Sequence, residues 1–379
     1  MKTNGTVAYV GGFEMPDRNA AAHRVKNNAR ILAELGYDVV FCGVDKTIPE
    51  DAKAPLDAWG FPSYPARYPK SAADWLRALY DFGHVRSVLD TIPDLKFVFA
   101  YNMHARPLSS LLRYCKKRGV KVIADVTEWY ENPFSLSPVR FLKWHDTGRV
   151  MKRLHKKVDG MIAISRYLAD YYAPSVKHIL RLPPLVDREE QIWNGPAPDP
   201  LATVEFVYTG VPGTTKDQIG QIVRCFAALA PDHDFLFRVI GITEDEFRSD
   251  FPDAVSSLEL LSGKIDFCGR VSHAESVQAL RRADYCVFIR EATRKNTAGF
   301  PTKFAECVTS GVGVIANGVS NIGDYFPREN GFLIDSPDEE SVKAALTAAI
   351  ENGKIERKAS DTFDYRGFVA ALGKFLEDL

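Results

Sequence analysis

TVAYVGGFEMPDRNAAAHRVKNNARILAELGYDVVFCG (residues 6–43) contains one complete unit of fold. Residues 6–10 read as a short apolar strand. Residues 20–35 carry helical periodicity through Val25, Ala29, Leu32 and Ala33; Gly36 ends that helix, and residues 38–43 make a second strand. A strand, a helix and a strand in this order need a right-handed crossover, so the sheet is expected to be parallel. The rhythm continues outward with strands at 97–101, 120–125 and 160–164 and helices at 73–89, 107–118, 138–157 and 166–172. RLPPLVDREEQIWNGPAPDP (181–200) interrupts it with prolines and little periodicity, which marks a domain boundary. Beyond it the alternation restarts, with strands at 204–209, 235–240, 265–268, 285–290, 313–317 and 331–335. The helices between and after them are expected at 218–229, within 245–262, and at 273–282, 301–310 and 339–352. The chain therefore reads as two similar α/β lobes in tandem, residues 1–185 and 186–364. A last amphipathic helix, 365–379, packs either on its own lobe or back on the first. In such sheets ligands collect beyond the carboxyl ends of the strands.

Composition narrows the classes. The 379 residues are 46% hydrophobic and 26% charged, which excludes disordered and fibrous chains. No apolar run reaches the length of a membrane span, and the first residues turn polar too soon for a signal peptide, so a cytoplasmic protein is expected. The six cysteines form no CxxC pair and lie mostly in apolar segments, as buried reduced thiols would. The net charge of −1 hides a division: residues 1–185 hold 28 Lys and Arg against 18 Asp and Glu, and residues 186–379 hold 20 against 31. The basic half suits anionic headgroups, phosphates or acidic glycans; equally, the two halves suit each other.

Three segments can carry chemistry. In IREATRKNTAGFPTKFAECVTSGVGVIAN (289–317) a strand runs into a polar loop, and Gly299, Phe300 and Pro301 open a helix whose free N–H groups make an anion site. Thr302 and Glu306 share a helix face about 6 Å apart along its axis. That spacing fits a diphosphate at the tip and a ribose one turn in; the alternative is a surface glutamate, although FAECV is an apolar context for one. In FVYTGVPGTTKDQIG (206–220), Gly210 and Gly213 let backbone approach a phosphate and Lys216 supplies charge, but the pattern is not GxxxxGK[ST], which disfavours a nucleoside triphosphatase. In the first lobe Gly11 and Gly12 end the first strand before a loop with Asp17, Arg18 and Asn19, and the absence of GxGxxG disfavours a nicotinamide enzyme.

Together these segments resemble the family-4 retaining glycosyltransferases of the GT-B architecture, over nearly the whole chain. The likeness rests on the Gly-Gly loop, ARILAELGYDVVFCG (29–43), VDGMIAISRYLADYY (158–172), LPPLVD (182–187), YTGVPGTTKD (208–217) and TKFAECVTSGVGVIAN (302–317), in that order. The resemblance implies two Rossmann-like lobes with a central cleft, an acceptor on the first lobe, a nucleotide-sugar donor on the second, retention of anomeric configuration and no metal or other cofactor. Glu306 then stands at the second glutamate of an E-x7-E motif, which bonds the nucleotide ribose. Lys216 stands at the lysine on the donor diphosphate, and Gly299, Phe300, Pro301 and Thr302 flank sugar and phosphate. Gly12 and Gly210 join the donor set. Ala298 occupies the place of the first glutamate, and Val211 that of a phosphate-binding arginine. Arg290, Arg294, Lys295 and Lys303, with Arg270 at another strand end, are the candidates to replace them, and their charge suits an acidic donor such as a uronate.

On the acceptor side, His104 in YNMHARP (101–107) and Glu128 in ADVTEWYENP (124–133) each follow a strand, where the family often places a histidine or an acid. The basic stretch VRFLKWHDTGRVMKRLHKKV (139–158) includes Phe141, Leu142, Trp144, Val150, Met151 and Leu154; it either lies on an anionic membrane surface or packs into the core with a solvated basic face. The expected protein is a metal-independent, hexosyltransferase-type enzyme using a UDP-sugar and a glycan or lipid-linked acceptor in surface polysaccharide synthesis. It is expected to be cytoplasmic, either free there or peripheral at the inner membrane face, and without a nucleic-acid partner. The rivals are a sugar-nucleotide epimerase or phosphorylase on the same fold, and a non-catalytic scaffold subunit.

Overall fold

The computed structural model describes residues 3–15, 20–48, 55–130, 137–194, 202–213 and 216–379. Asp17, Arg18, Asn19, Thr214, Thr215 and the 195–200 part of the linker lie outside them. The chain forms two compact units, one of Met1–Leu185 with Tyr365–Leu379, the other of Val186–Asp364.

In the first unit the elements run β1 (Thr6–Gly11), α1 (Ala20–Glu34), β2 (Asp38–Cys42), β3 (Val44–Asp45), β4 (Leu56–Ala58), β5 (Phe61–Ser63) and β6 (Ala66–Arg67). They continue with α2 (Ala72–Tyr80), α3 (Gly83–Asp90), β7 (Leu95–Tyr101), α4 (Ala105–Arg118), β8 (Lys121–Val126), α5 (Pro138–Arg149), β9 (Gly160–Ala163), α6 (Arg166–Tyr172) and β10 (His178–Arg181). The eight-stranded sheet has the order β10-β9-β8-β7-β1-β2-β5-β4, parallel except for the β4–β5 hairpin; β3 and β6 pair separately. The single helix expected at 73–89 is two: Ser71 and Asp74 close a capping box that starts α2, and the backbone turns extended at Asp81 before Gly83 begins α3. The helix expected at 138–157 also divides. After α5 the chain takes a π turn at Val150–Leu154 and a 3-10 turn at His155–Lys157. That change of winding separates two surfaces: Val150, Met151 and Leu154 are buried, whereas Val139, Phe141 and Trp144 on α5 are exposed. Buried His155 meets the Tyr172 hydroxyl at 3.2 Å, and burial pulls its pKa down to about 4.

A polar knot sits inside the first-lobe core. Asp125 at the end of β8 accepts from the Tyr9 hydroxyl, from Arg24 Nε at 2.8 Å and from the Asn28 amide at 3.3 Å. Arg24 Nη1 also donates to the Leu182 and Pro183 carbonyls, so one ion pair ties α1 to β8 and to the chain leaving the lobe. The lobe is closed by the C-terminal helix. Leu372, Phe375 and Leu376 of α15 (Val369–Glu377) join the cluster of Val7, Tyr9, Val25 and Leu32, and Gly160 leaves room for the Phe375 ring: a Cβ there would lie 2.8 Å from it.

The second unit runs α7 (Gln191–Asn194), β11 (Glu205–Thr209), α8 (Ile219–Leu229), β12 (Leu236–Ile240), α9 (Glu244–Asp250), α10 (Ser257–Leu260), β13 (Ile265–Gly269) and α11 (His273–Arg282). It ends with β14 (Tyr285–Phe288), α12 (Arg294–Ala298), α13 (Thr302–Ser310), β15 (Gly313–Asn317), β16 (Phe332–Ile334) and α14 (Glu339–Asn352). Its six strands are all parallel, in the order β13-β12-β11-β14-β15-β16. Phe226 of α8 stacks on Phe237 and meets Phe206 edge to face, and Phe206 stacks on Tyr285, so that aromatic rings fill the core under this helix. At the amino end of the sheet buried Glu205 is held by Arg238 and Arg282. Five cysteines are buried, and Cys268 is only half-buried, which corrects the expectation for that residue; all six are free thiols.

Candidate functional site

In the second lobe the strand order reverses direction between β11 and β14, where a doubly wound sheet opens a crevice beyond its carboxyl ends. Gly210 follows β11 there with φ +104, a conformation that favours glycine. Gly241, after β12, packs so tightly behind it that a Cβ would lie 2.4 Å from the Gly210 carbonyl oxygen. Farther along, Lys216 is exposed and Asp217 is buried.

Asp217 organises the site. Its carboxylate accepts from the Tyr208 hydroxyl at 2.6 Å, from Lys303 Nζ at 2.8 Å and from Arg290 Nε. The Lys303 ammonium also lies 3.7 Å from the centre of the Tyr208 ring. Burial alone would raise the Asp217 carboxyl, but Lys303 and Arg290 outweigh it and hold the group well below the usual carboxylate range. Burial pulls the Lys303 pKa down, only partly offset by Asp217, and burial with Asp217 pushes the Tyr208 phenol well up. Arg290 is fixed from its other side: its N–H donates to Asn317 Oδ1 at 2.9 Å, and Asn317 Nδ2 donates back to its carbonyl at 2.7 Å. Two cations thus share one carboxylate, which leaves a formal positive charge buried at the point where the sheet reverses.

The α13 end lies beside this cluster in sequence. Pro301 is its cap position rather than its first helical residue, no side chain caps it, and Thr302 is exposed. Phe300 is anchored against Phe304, Tyr325 and Phe363, which fixes the chain at the helix start. One turn in, Glu306 Oε1 meets His273 Nε2 at 3.0 Å, and both side chains keep partial exposure, 22% and 28%. His273 begins α11, placed by the Ser272–Glu275 capping box, and its ring meets the edge of Trp193. The segment before α13, read as polar loop, contains the short helix α12 with Thr293 as its cap. Ala298 is fully buried, so the place that the resemblance gives to a glutamate is core, and Val211 is exposed. Arg270 is not part of the cluster: it is exposed and bonded at 2.7 Å to Glu246, the capping-box residue of α9. Arg294 and Lys295 are exposed on α12.

In the first lobe the order reverses between β1 and β7. Gly11 must be glycine, with φ +137 and a hypothetical Cβ 1.7 Å from the Tyr101 carbonyl oxygen; Gly12 donates to that same oxygen at 2.9 Å. Asn102, after β7, accepts from the Tyr130 hydroxyl at 3.0 Å, and burial, with Glu128 nearby, raises the Tyr130 pKa strongly. Glu128 itself is exposed after β8. His104 caps α4, and its Nδ1 meets Asp146 Oδ2 at 2.9 Å, while Asp146 Oδ1 accepts from the Ala105 N–H at 2.9 Å. The carboxylate so orients the ring that, with Nδ1 protonated, Nε2 is left as the basic nitrogen. Gly12, His104 and Glu128 therefore lie at the carboxyl ends of neighbouring strands. Sequence reasoning missed Asp217, Tyr208, Asn317, His273 and Asp146. Only Asp217 carried a local signal, its place beside Lys216 at a helix mouth.

Residues 204–352 match the family model of the glycosyl transferases group 1. Among solved structures, the sucrose-phosphate synthase of Thermosynechococcus elongatus is similar with a TM-score of 0.67 at 13% identity, covering 99% of each chain. The Anabaena protein HepE, solved with UDP and glucose, gives 0.64 at 12% identity, covering 99% of this chain and 100% of that one. WaaG, a glycosyltransferase involved in lipopolysaccharide biosynthesis, gives 0.61 at 11% identity over 98% and 94%. A search of curated proteins finds no match. The likeness to the glycosyl transferases group 1 thus lies in residues 204–352, and over its length the chain has the GT-B fold.

Proposed function

We propose that this protein is a retaining glycosyltransferase that moves a hexose from a nucleoside diphosphate, UDP in the first instance, to a glycan or glycolipid acceptor in surface polysaccharide synthesis. The observation that carries the reading is the buried excess cation around Asp217. A group 1 domain that holds Arg290 and Lys303 on one carboxylate, at the strand-order reversal, has positive charge to offer a diphosphate. HepE, with UDP and glucose bound, supports a uridine donor, and WaaG supports a glycolipid setting.

In this reading the second lobe binds the donor. The α13 amino end and Gly210 receive the diphosphate, and Lys216, Arg290 and Lys303 stabilise the charge that grows on it as the bond to the anomeric carbon breaks. Removal of such a group costs about a hundredfold or more in rate. That charge does the work a metal ion does elsewhere. Glu306, steadied by His273, accepts from the ribose hydroxyls. The first lobe receives the acceptor, whose hydroxyl oxygen forms the new bond to the anomeric carbon while its proton passes to the departing phosphate oxygen. His104, oriented by Asp146, and Glu128 position the acceptor. Among the described residues no helix is long and apolar enough to cross a membrane. The reading places the protein in the cytoplasm, with exposed Val139, Phe141 and Trp144 on the basic α5 as its contact with an anionic membrane.

Calorimetric titration of UDP, GDP and ADP, and then of UDP-sugars, into the wild type and Glu306→Gln without added metal tests it. Micromolar binding of one nucleotide, lost in the variant, is expected. No binding by any of them overturns the donor site and leaves the scaffold reading.

A further inference from the structure

A cavity of about 220 Å³ in the first lobe is lined by Arg106, Ser109, Arg113 and Arg149. The first three lie on α4 at spacings of three and four, so they share one helix face, and Arg149 closes the cavity from the last residue of α5. Among the described residues no carboxylate pairs with any of the three arginines. Arg113 Nη2 donates to the Ser110 hydroxyl at 3.3 Å, and the Arg106 guanidinium lies 5.6 Å from the centre of the Tyr80 ring. Other arginines of this protein behave differently: Arg224 meets Asp253 and Glu339, Arg248 meets Glu244, and Arg270 meets Glu246. The nearest acid along α5, Asp146, is engaged by His104 and the Ala105 N–H.

All three arginines are exposed, and they gather around one cavity without a counter-charge, so an anion seated among them is attracted by all three at once. Guanidinium forks fit phosphate oxygens two at a time, and the Ser109 hydroxyl adds a further donor. The cavity begins one helical turn from His104, because Ala105 and Arg106 are adjacent and Asp146 and Arg149 are three apart. We propose that this cavity binds a phosphate or diphosphate group carried by the acceptor, so that the acceptor is a phosphorylated one. Its naming as an acceptor rests on the transferase reading; the anion site does not. Exposed Trp75, Leu76 and Tyr80 on α2, which packs against α4, and exposed Phe141 and Trp144 on α5 border this region with apolar surface. The same phosphate chemistry is therefore available from a lipid headgroup or from a soluble sugar phosphate.

Phenylglyoxal labelling of the full chain, read residue by residue by mass spectrometry, tests the site. The probes are inorganic pyrophosphate, and phosphatidylcholine vesicles with and without phosphatidic acid. Labelling of Arg106, Arg113 and Arg149 is expected to fall at least about threefold, with Arg248 in the second lobe unchanged. Protection by pyrophosphate supports the site with a soluble source, and protection by phosphatidic acid vesicles alone supports it with a lipid source. Unchanged labelling with both probes, or equal protection by plain phosphatidylcholine, overturns it. In an Arg113→Gln/Arg149→Gln variant the protection of Arg106 must disappear; its persistence also overturns the proposal. Failure of UDP to bind would strike the donor reading alone, since this labelling reads different residues.

Discussion

In the first lobe Asp125 meets one cation, Arg24, along with the Tyr9 hydroxyl and the Asn28 amide; in the second, Asp217 meets two, Arg290 and Lys303, along with the Tyr208 hydroxyl. Both carboxylates are buried and both lie near the carboxyl ends of their sheets. The first set is balanced, and Arg24 spends its remaining donor capacity on the backbone carbonyls of Leu182 and Pro183. That is how a buried ion pair fastens one element to another. The second set carries an extra positive charge, which costs stability unless an anion arrives. The contrast separates a structural ion pair from a ligand site by counting charge rather than by comparing burial.

The comparison breaks most visibly at Asp217. Asp217→Ala leaves two buried cations facing each other and is expected to cost about 3–5 kcal/mol in urea unfolding, with the second lobe losing hydrogen-exchange protection first. A loss below about 1 kcal/mol would show that the cluster is already hydrated and not the buried site described here.

Acid separates the lobes next. His155 is neutral when folded with a pKa of about 4 against an ordinary 6.5, so the unfolded chain binds a proton that the folded chain refuses. First-lobe stability should fall as pH drops from about 6.5 to about 4, by about 3 kcal/mol in all, and level off below. Asp217 runs later: its depressed pKa contributes fully above the ordinary carboxylate value and is lost only as pH falls through the folded value. Hydrogen exchange as a function of pH should therefore show the first lobe loosening before the second, and His155→Gln should flatten that acid arm.

Lys303→Met sharpens the comparison, since it turns the second set into a balanced one like the first. Stability should change by less than about 1 kcal/mol, because the lost ion pair is offset by removal of a desolvated charge. Nucleotide affinity, measured by calorimetry, should fall about tenfold or more. The smallest effect is expected for His273→Ala, which frees the Glu306 carboxylate without removing it. UDP affinity, measured by calorimetry, should drop only a few-fold, because the ribose-binding carboxylate itself remains.

Much of the architecture was legible because apolar runs alternate with helical periodicity, and α6, α11, α14 and β15 have the bounds read from the sequence. The short strands β3 to β6 and β10 were not, since two to four half-exposed residues carry no periodic signal; nor was α12, five polar residues long. Gly210, Arg290, Lys303 and Glu306 could be named because glycines at strand ends and a proline before a helix mark where ligands collect. Their partners could not. Asp146 reaches His104 across 42 residues and Asp217 reaches Lys303 across 86, distances over which a sequence gives no pairing until the sheet order is known.

The return of α15 to the first lobe has a consequence for how the protein is made. Leu372, Phe375 and Leu376 complete a core begun at Val7, so the first lobe cannot be sealed until the whole second lobe has been made and α15 follows it. The second lobe, contiguous in sequence, can close while its predecessor still shows bare apolar surface beside Gly160 and Leu35. Loss of α15 would therefore injure residues made long before it, and a chaperone holding the nascent chain would be expected to grip the first lobe.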